Sequence, residues 1–233
     1  MTVCVIPARG GSKRIPRKNI KDFNGKPMIQ WSIEAANASN IFDNIIVSTD
    51  DDEIAEIAKG LGADVPFIRP KELSDDYTNT RDVIAHATQW AMNEGIDVSI
   101  VCCLYATSPF VLPADLQEAH RIITSENWQY VFSVSEFSSP IFRSFEQLES
   151  RGVKMLYPQH FETRSQDLPQ VLFDAGMFYM GRSEAWLQNL RVFDEHSFPI
   201  KIPTWRVQDI DTTEDWLRAE IMYKVMLETR STN

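Results

Sequence analysis

Cysteine, histidine and positive charge are all scarce in this sequence, and each shortage excludes a class of protein. Three cysteines occur in 233 residues, and two of them, Cys102 and Cys103, are adjacent. That set builds neither a disulfide framework nor a CxxC metal site. The four histidines, His86, His120, His160 and His196, are scattered without ligand spacing. No apolar run approaches the ~18 residues needed to cross a bilayer. The start, Met1-Thr2-Val3-Cys4-Val5-Ile6, has no basic flank and its apolar run stops at Pro7, which reads against a signal peptide. Neither GxxxxGK[ST] nor GxGxxG occurs, so the two most familiar phosphate loops are absent. Lysine and arginine total 23 against 33 acids, a net charge of −10. The field of such a chain repels nucleic acid and anionic membrane alike. A reduced, cytoplasmic, soluble protein with neither as a partner is the expectation.

The chain length suits one domain carrying an accessory segment, and the apolar pattern resolves into alternating elements. Val3–Ile6 is a short buried run stopped by proline, as in a parallel strand. Pro27 opens a helical pattern through Met28, Trp31, Ile33 and Ala35. "NIIVSTD" predicts a second strand, "DDEIAEIAKGLG" a helix with acids at its positive end, and "DVPFIRP" a third strand. "TRDVIAHATQWAMNEG" predicts another helix and "VSIVCCLYATSP" a fourth strand. This alternation predicts an α/β fold with a mostly parallel sheet, right-handed crossovers, and a ligand crevice beyond the strands' carboxyl ends. The rhythm breaks over residues 138–170, which predict an arm of β-hairpins before the fold resumes at "LFDAGMFYMG". "TEDWLRAEIMYKVML" predicts a terminal helix capped by Thr212 or Thr213. All 233 residues are thus expected to form a single domain, with the arm inserted.

Against its acidic background the stretch "IPARGGSKRIPRKN" stands out, with Arg9, Lys13, Arg14, Arg17 and Lys18 around Gly10 and Gly11. A strand-to-helix loop of this kind can offer backbone N–H groups and charge to a polyphosphate; it can also be a solvated basic loop. Asp209 and Asp211, two apart in "QDIDTTED", project to one side of an extended segment. Such a pair suits Mg²⁺ held jointly with phosphates, although Asp211 also fits a helix cap. Asp50, Asp51 and Asp52 are explained by the dipole of the helix they begin. Trp31, Trp90 and Trp216, with Cys102 and Cys103, read as core, and His86 as structural.

The loop resembles the signature A-R-x-x-S-K-x-[ILV]-P-x-K-N of the CMP-sialic acid synthetases. Ala8-Arg9, Ser12-Lys13, Pro16 and Lys18-Asn19 all fall in place. "IIVSTDDDEIAEIAKGLGADV", "RPKELSDD", "ATSP" and "DIDTTED" echo later family blocks in order, so the likeness spans the chain. It implies a Rossmann-like nucleotidyltransferase fold with a dimerisation arm, hence a homodimer. The implied reaction is transfer of CMP from CTP to the anomeric hydroxyl of a nonulosonic acid, with Mg²⁺ as cofactor. The resemblance puts Arg9, Lys18 and Asp211 in the catalytic role, Ala8, Gly10, Gly11, Ser12 and Lys13 around the triphosphate, and Asn19 and Arg69 near the cytosine. Arg69 also reads as a surface cation before Pro70. Thr80 stands beside the nucleotide, and Asp209 with Asp211 on the metal. Tyr105, Thr107, Ser108, Phe173 and Asp174 fall to the sugar, with Arg164 reaching its carboxylate across the dimer.

Departures from the family pattern fall in that sugar half. Tyr105, Phe173 and Ala175 replace a glutamine, an arginine and an asparagine, and "YATSP" and "DAGMFY" are most similar to the branch acting on pseudaminic acid. N-acetylneuraminate or legionaminate as the sugar, a 3-deoxy-manno-octulosonate enzyme, and a silent nucleotide-binding paralogue are the competing readings.

Overall fold

A computed structural model describes residues 1–231. Its central sheet forms around β1 (Thr2–Pro7), buried along five consecutive residues as a strand covered on both faces must be. Two short strands, β2 (Asp22–Phe23) and β3 (Lys26–Pro27), pair as a hairpin before α1 (Met28–Ser39). Next come β4 (Asn44–Ser48), α2 (Asp52–Gly60), α3 (Thr80–Asn93), β5 (Ile100–Leu104) and α4 (Pro113–Ser125). Then follow β6 (Tyr130–Glu136), β7 (Phe145–Gln147), β8 (Val153–Met155), β9 (Leu172–Arg182), α5 (Ser183–Leu187), β10 (Ser197–Lys201) and α6 (Thr213–Ser231).

The main sheet runs β10-β6-β9-β5-β1-β4. β1 lies parallel to β4 and β5, and β6 parallel to β10. β9 is antiparallel to both of its neighbours, β5 and β6, so the expected mostly parallel sheet has a reversed strand near its middle. Strand periodicity sorts the core. Cys4, Ile6, Cys102 and Leu104 face one side, with apolar residues of α1, α2, α4 and α6. Val3, Val5, Val101 and Cys103 face the other, with those of α3 and α5. The adjacent cysteines therefore belong to opposite cores, both fully buried.

One expected strand is absent. "DVPFIRP" runs beside β4 but touches it only at isolated parallel bridges, Ile46 to Asp64 and Thr49 to Ile68. Pro66 and Pro70 cannot donate to a ladder, and a proline-bearing segment is confined to a sheet margin. The terminal helix starts as anticipated: Thr212 Oγ1 accepts from Asp215 N at 3.2 Å, while Asp215 Oδ2 accepts from Thr212 N at 2.8 Å.

The segment between β6 and β9 forms no part of the main sheet. It carries the β7–β8 hairpin and three single-turn 3₁₀ helices, and it exposes Phe145, Val153, Leu156 and Phe161. Among the described residues no helix is long and apolar enough to cross a membrane.

Candidate active site

The basic loop leaves β1 at the carboxyl edge of the sheet and is pinned on three sides. Ala8 N donates to Ser48 O at 2.9 Å, and Gly10 N to Asp50 Oδ1 at 2.9 Å. Asn19 Nδ2 donates to Arg9 O at 2.9 Å, closing the loop on itself. The two glycines differ in kind. A Cβ on Gly10 would lie 2.5 Å from Asp51 Oδ2 and 2.9 Å from Asp51 Cβ, whereas one on Gly11 would meet nothing within 4 Å. Arg17 turns away from the crevice with φ 55°, and binds Asp51 through two hydrogen bonds of 2.5 and 3.0 Å and Glu53 through another. Asp51 also caps α2, accepting from Ile54 N at 3.0 Å. The hydrogen bond from Arg17 holds the Asp51 carboxyl below its ordinary value. Arg17 is thus an anchor of the loop and not one of the cations that line its cavity, and the acids after β4 serve that loop as well as their own helix.

Arg9, Ser12, Lys13, Arg14, Lys18 and Asn19 line one cavity of about 410 Å³ together with Tyr105, Thr107, Asp76 and Asp211. Its cations are held in two groups. Lys18 Nζ donates to Ile210 O at 2.7 Å and to Asp211 Oδ1 at 3.3 Å, and Arg14 Nη2 meets Asp211 Oδ2 at 2.8 Å. Arg9 Nη1 donates to Asp76 Oδ1 at 2.8 Å and to Asp75 O at 2.9 Å, and Lys13 also pairs with Asp76. Asp209, unlike Asp211, does not line this cavity; it is exposed to solvent but crowded by protein on one side. That crowding, and then repulsion from Asp211, raises its carboxyl above the usual aspartate value. Among the described residues no three His, Cys, Asp or Glu side chains gather as a metal cage.

Arg69 is no surface cation: it is 4% exposed. Its backbone N donates to Thr49 O at 2.7 Å, Nε donates to Ser74 Oγ at 3.2 Å, and Nη2 lies 3.7 Å from Asp50 Oδ1. Burial lowers its pKa, which Asp50 opposes and Arg9 reinforces; an arginine remains charged regardless. Asp50 therefore joins the loop amide at Gly10 to this buried guanidinium. A second cavity, of about 220 Å³, includes Arg69, Arg9, Asp76, Thr80 and Tyr105 in its lining.

Beyond Tyr105 the surface changes character. Thr80, Arg81, Tyr179, Trp186, Val192 and Phe193 line a bay of about 340 Å³, and Tyr105 belongs to all three cavities. Thr80 Oγ1 and Tyr105 Oη are 3.0 Å apart, and the Tyr105 and Tyr179 rings meet edge to face at 5.8 Å. Tyr179 Oη donates to Asp174 Oδ2 at 2.5 Å. Burial pushes the Tyr105 hydroxyl up to about 12, and raises Tyr179 as well, so both phenols are neutral at ordinary pH.

Not every residue assigned to the sugar reaches this region. Ser108 is buried and donates to Met177 O at 3.1 Å, which ties its turn to β9. Phe173 packs on Phe137 at the base of the arm, with ring centroids 5.0 Å apart, and Arg164 is exposed on the arm itself. Tyr179, the last residue of "DAGMFY", lines the bay with Trp186, Arg191, Val192 and Phe193, and these last four carry no local motif. Only the sheet and α5 bring them to Tyr105.

Known proteins supply an independent comparison. A family model described as Cytidylyltransferase matches residues 3–213. The chain is 45% identical over 227 residues to the pseudaminic acid cytidylyltransferase of Campylobacter jejuni, covering 97% of this chain and 98% of that protein. It is 33% identical over 235 residues to the CMP-N,N'-diacetyllegionaminic acid synthase of Legionella pneumophila, covering 97% of each. A solved structure of CMP:2-keto-3-deoxy-manno-octonic acid synthetase complexed with CTP superposes with a TM-score of 0.71 over 97% of this chain and 99% of that one. At 17% identity that likeness speaks for the fold alone. With nearly its whole length matched, its sheet crossed by one reversed strand and its cationic loop at the sheet's carboxyl edge, the chain belongs to the cytidylyltransferase family as a CMP-sialic acid synthetase relative closely akin to pseudaminic acid cytidylyltransferases.

Proposed function

We propose that this protein transfers CMP from CTP to the anomeric hydroxyl of pseudaminic acid, giving CMP-pseudaminate and pyrophosphate. The observation that carries this reading is the junction at Tyr105. On one side lies a cavity lined by Arg9, Lys13, Arg14 and Lys18, on the other a bay walled by Tyr179, Trp186, Val192 and Phe193. A triphosphate suits the first. A sugar acid with an acetamido group and a terminal methyl, where N-acetylneuraminate has hydroxyls, suits the second better than a trihydroxylated tail does. The full-length similarity to the C. jejuni enzyme supports the same substrate.

The sugar oxygen attacks the α-phosphorus, the bond to the β-phosphate breaks, and the hydroxyl proton passes to solvent. This chemistry rests on positioning and on charge complementing the leaving group. Lys18 and Arg14 are set against the phosphates once Asp211 shares them, and Arg9, Ser12 and Lys13 take the rest of the chain. Buried Arg69, held by Asp50, and Asn19 stand at the base end of the cleft. Asp209 and Asp211 fit Mg²⁺ as a carboxylate pair: burial first, and then repulsion from Asp211, raises Asp209, and a bound dication would favour the ionised form of both. Magnesium binds through one or two carboxylates with substrate phosphates, and would supply positive charge to the departing pyrophosphate.

The exposed aromatics of the arm support a homodimer, in which Arg164 of one protomer reaches the sugar carboxylate in its partner's cleft. Three buried, free cysteines accord with a reducing cytoplasm.

Pyrophosphate release from CTP and Mg²⁺, measured against pseudaminate, legionaminate and N-acetylneuraminate, tests the assignment. Two mismatched polar groups in the bay give pseudaminate an expected kcat/KM advantage of at least about a hundredfold over N-acetylneuraminate. If legionaminate or N-acetylneuraminate is the better substrate, the pseudaminate assignment fails while the CMP transfer stands.

A further inference from the structure

The cations of the loop are already satisfied before any nucleotide arrives. Asp76 is the carboxylate on Arg9 and Lys13, and it lines the same cavity as Ser12, Arg14 and Lys18. It is not there by accident of a loose loop. Asp75 Oδ1 accepts from Tyr77 N at 3.0 Å, Thr78 N at 2.7 Å and Thr78 Oγ1 at 2.7 Å, which builds a tight turn around Asp76. Asp75 O also accepts from Arg9 Nη1 at 2.9 Å. The turn is fixed from behind, because Ser74 Oγ donates to Pro70 O at 2.9 Å and receives Arg69 Nε at 3.2 Å. The two cations hold the Asp76 carboxyl below its ordinary value, Lys13 first and Arg9 next.

We propose that Asp76 is a specificity-determining residue, a built-in counter-anion that occupies the phosphate seat of Arg9 and Lys13 and makes the cleft selective for polyphosphate. A ligand with one phosphate exchanges one anion for another on these cations and gains little. A ligand with two or three phosphates also engages Arg14 and Lys18 and has charge to spare after Asp76 is displaced. The carboxylate is 39% exposed, so the competition is screened by water and salt and its effect is moderate. A free carboxylate beside the departing pyrophosphate also re-pairs with Arg9 and Lys13 as that product leaves. The proposal rests on the reading of the cleft as a CTP site.

Calorimetric titration of wild type and Asp76→Asn with CTP, pyrophosphate, inorganic phosphate and cytidine separates the two. Asn keeps the shape of the residue and removes its charge. The variant is expected to bind CTP and pyrophosphate about three- to fivefold more tightly, the scale of a partly exposed ion-pair group. Inorganic phosphate should tighten more than CTP does, which narrows the preference for polyphosphate, and cytidine should not change; an equal gain for both would overturn the selectivity role. Both gains should shrink toward unity as salt rises to about 0.5 M, where the screening length falls to a few ångströms. In the Lys13→Gln background the gain from Asp76→Asn should be largely lost, as coupled partners require. Equal or weaker CTP binding by Asp76→Asn overturns the proposal, as does tightening of cytidine, which carries no phosphate. Failure of the wild type to bind CTP or pyrophosphate at all overturns the CTP site itself.

Discussion

In the cationic cavity, which we assign to the nucleotide, Arg9, Lys13, Arg14 and Lys18 come from one short loop, and they are spaced by acids drawn from elsewhere, Asp76 and Asp211. In the aromatic bay, which we assign to the sugar, Tyr105 comes from the turn after β5, Tyr179 from β9 and Phe193 from the segment after α5, with Thr80 of α3 between bay and cleft. The first end is built of long, hydrated side chains whose charges tolerate water and exchange partners readily. The second is built of rings that hold shape only when several rigid elements converge. A phosphate chain common to many substrates can be served by exchangeable charges. A particular sugar needs walls.

The comparison breaks most visibly if the charged end is damaged. Asp209→Ala, Asp211→Ala and Lys18→Ala should each lower kcat by about two to three orders of magnitude, the usual result of removing a group that meets developing charge. Sugar KM should move far less, and the melting temperature little. A kcat near wild type at saturating Mg²⁺ in either aspartate variant would remove the metal assignment. The glycines offer a finer cut. Gly10→Ala should raise the CTP KM about tenfold, because its methyl strikes Asp51 Cβ and pushes the loop off its anchor. Gly11→Ala, with open space around it, should stay within about twofold of wild type. Equal behaviour of the two variants would mean that backbone freedom, and not the contact with Asp51, sets the requirement.

Weakening the aromatic end should show the reverse pattern. Tyr179→Phe removes the hydrogen bond to Asp174 and should raise sugar KM about three- to tenfold, with CTP KM unchanged. A change confined to CTP would place Tyr179 with the nucleotide and dissolve the division between the ends. The smallest effect concerns stability. Asp51→Ala loses the α2 cap and the Arg17 pair, at a cost of about 1–2 kcal/mol, visible as a lower denaturation midpoint. The sign with pH follows from its depressed native pKa. The contribution is complete above the unfolded value near 3.8 and is lost as pH falls through the lower native value. Wild type and Asp51→Ala should thus converge in stability at strongly acidic pH, and a constant gap would deny the ion pair its share.

What could be read without coordinates follows the same division. The loop and the strands β1, β4 and β5 are contiguous patterns and lie where those patterns put them, whereas of the two acids in "QDIDTTED" Asp211 lines the cavity of the loop and Asp209 does not. "DVPFIRP" misled because its apolar residues satisfy a strand period while Pro66 and Pro70 forbid the ladder. Arg69 could not be told from a solvated arginine, since burial and the approach to Asp50 depend on how the segment folds over β4. Arg17 looked like its neighbours until its positive φ turned it toward Asp51. Phe173 was placed by analogy with the sugar and lies instead against Phe137. The bay was hard to read because its walls come from separate stretches, Thr80 and Arg81, Tyr105, Tyr179, Trp186, and Arg191 to Phe193, which only the fold brings together.

The reversed strand has a consequence for how this chain is made. β4, β1 and β5 are complete once Leu104 has been synthesised, and together they form a parallel ribbon whose β5 margin is fully buried and apolar in the finished sheet. The partner for that margin is β9, which begins only at Leu172. β6 emerges in between but pairs with β9 and β10, never with β5. At translation rates of about 5–20 residues per second, the open edge persists for several seconds on the ribosome. Through that interval an apolar strand with unpaired N–H and C=O groups is a template for another nascent chain. β9 (Leu172–Arg182) supplies the partner for that edge and links it to β6, and β10 (Ser197–Lys201) is added to β6 last.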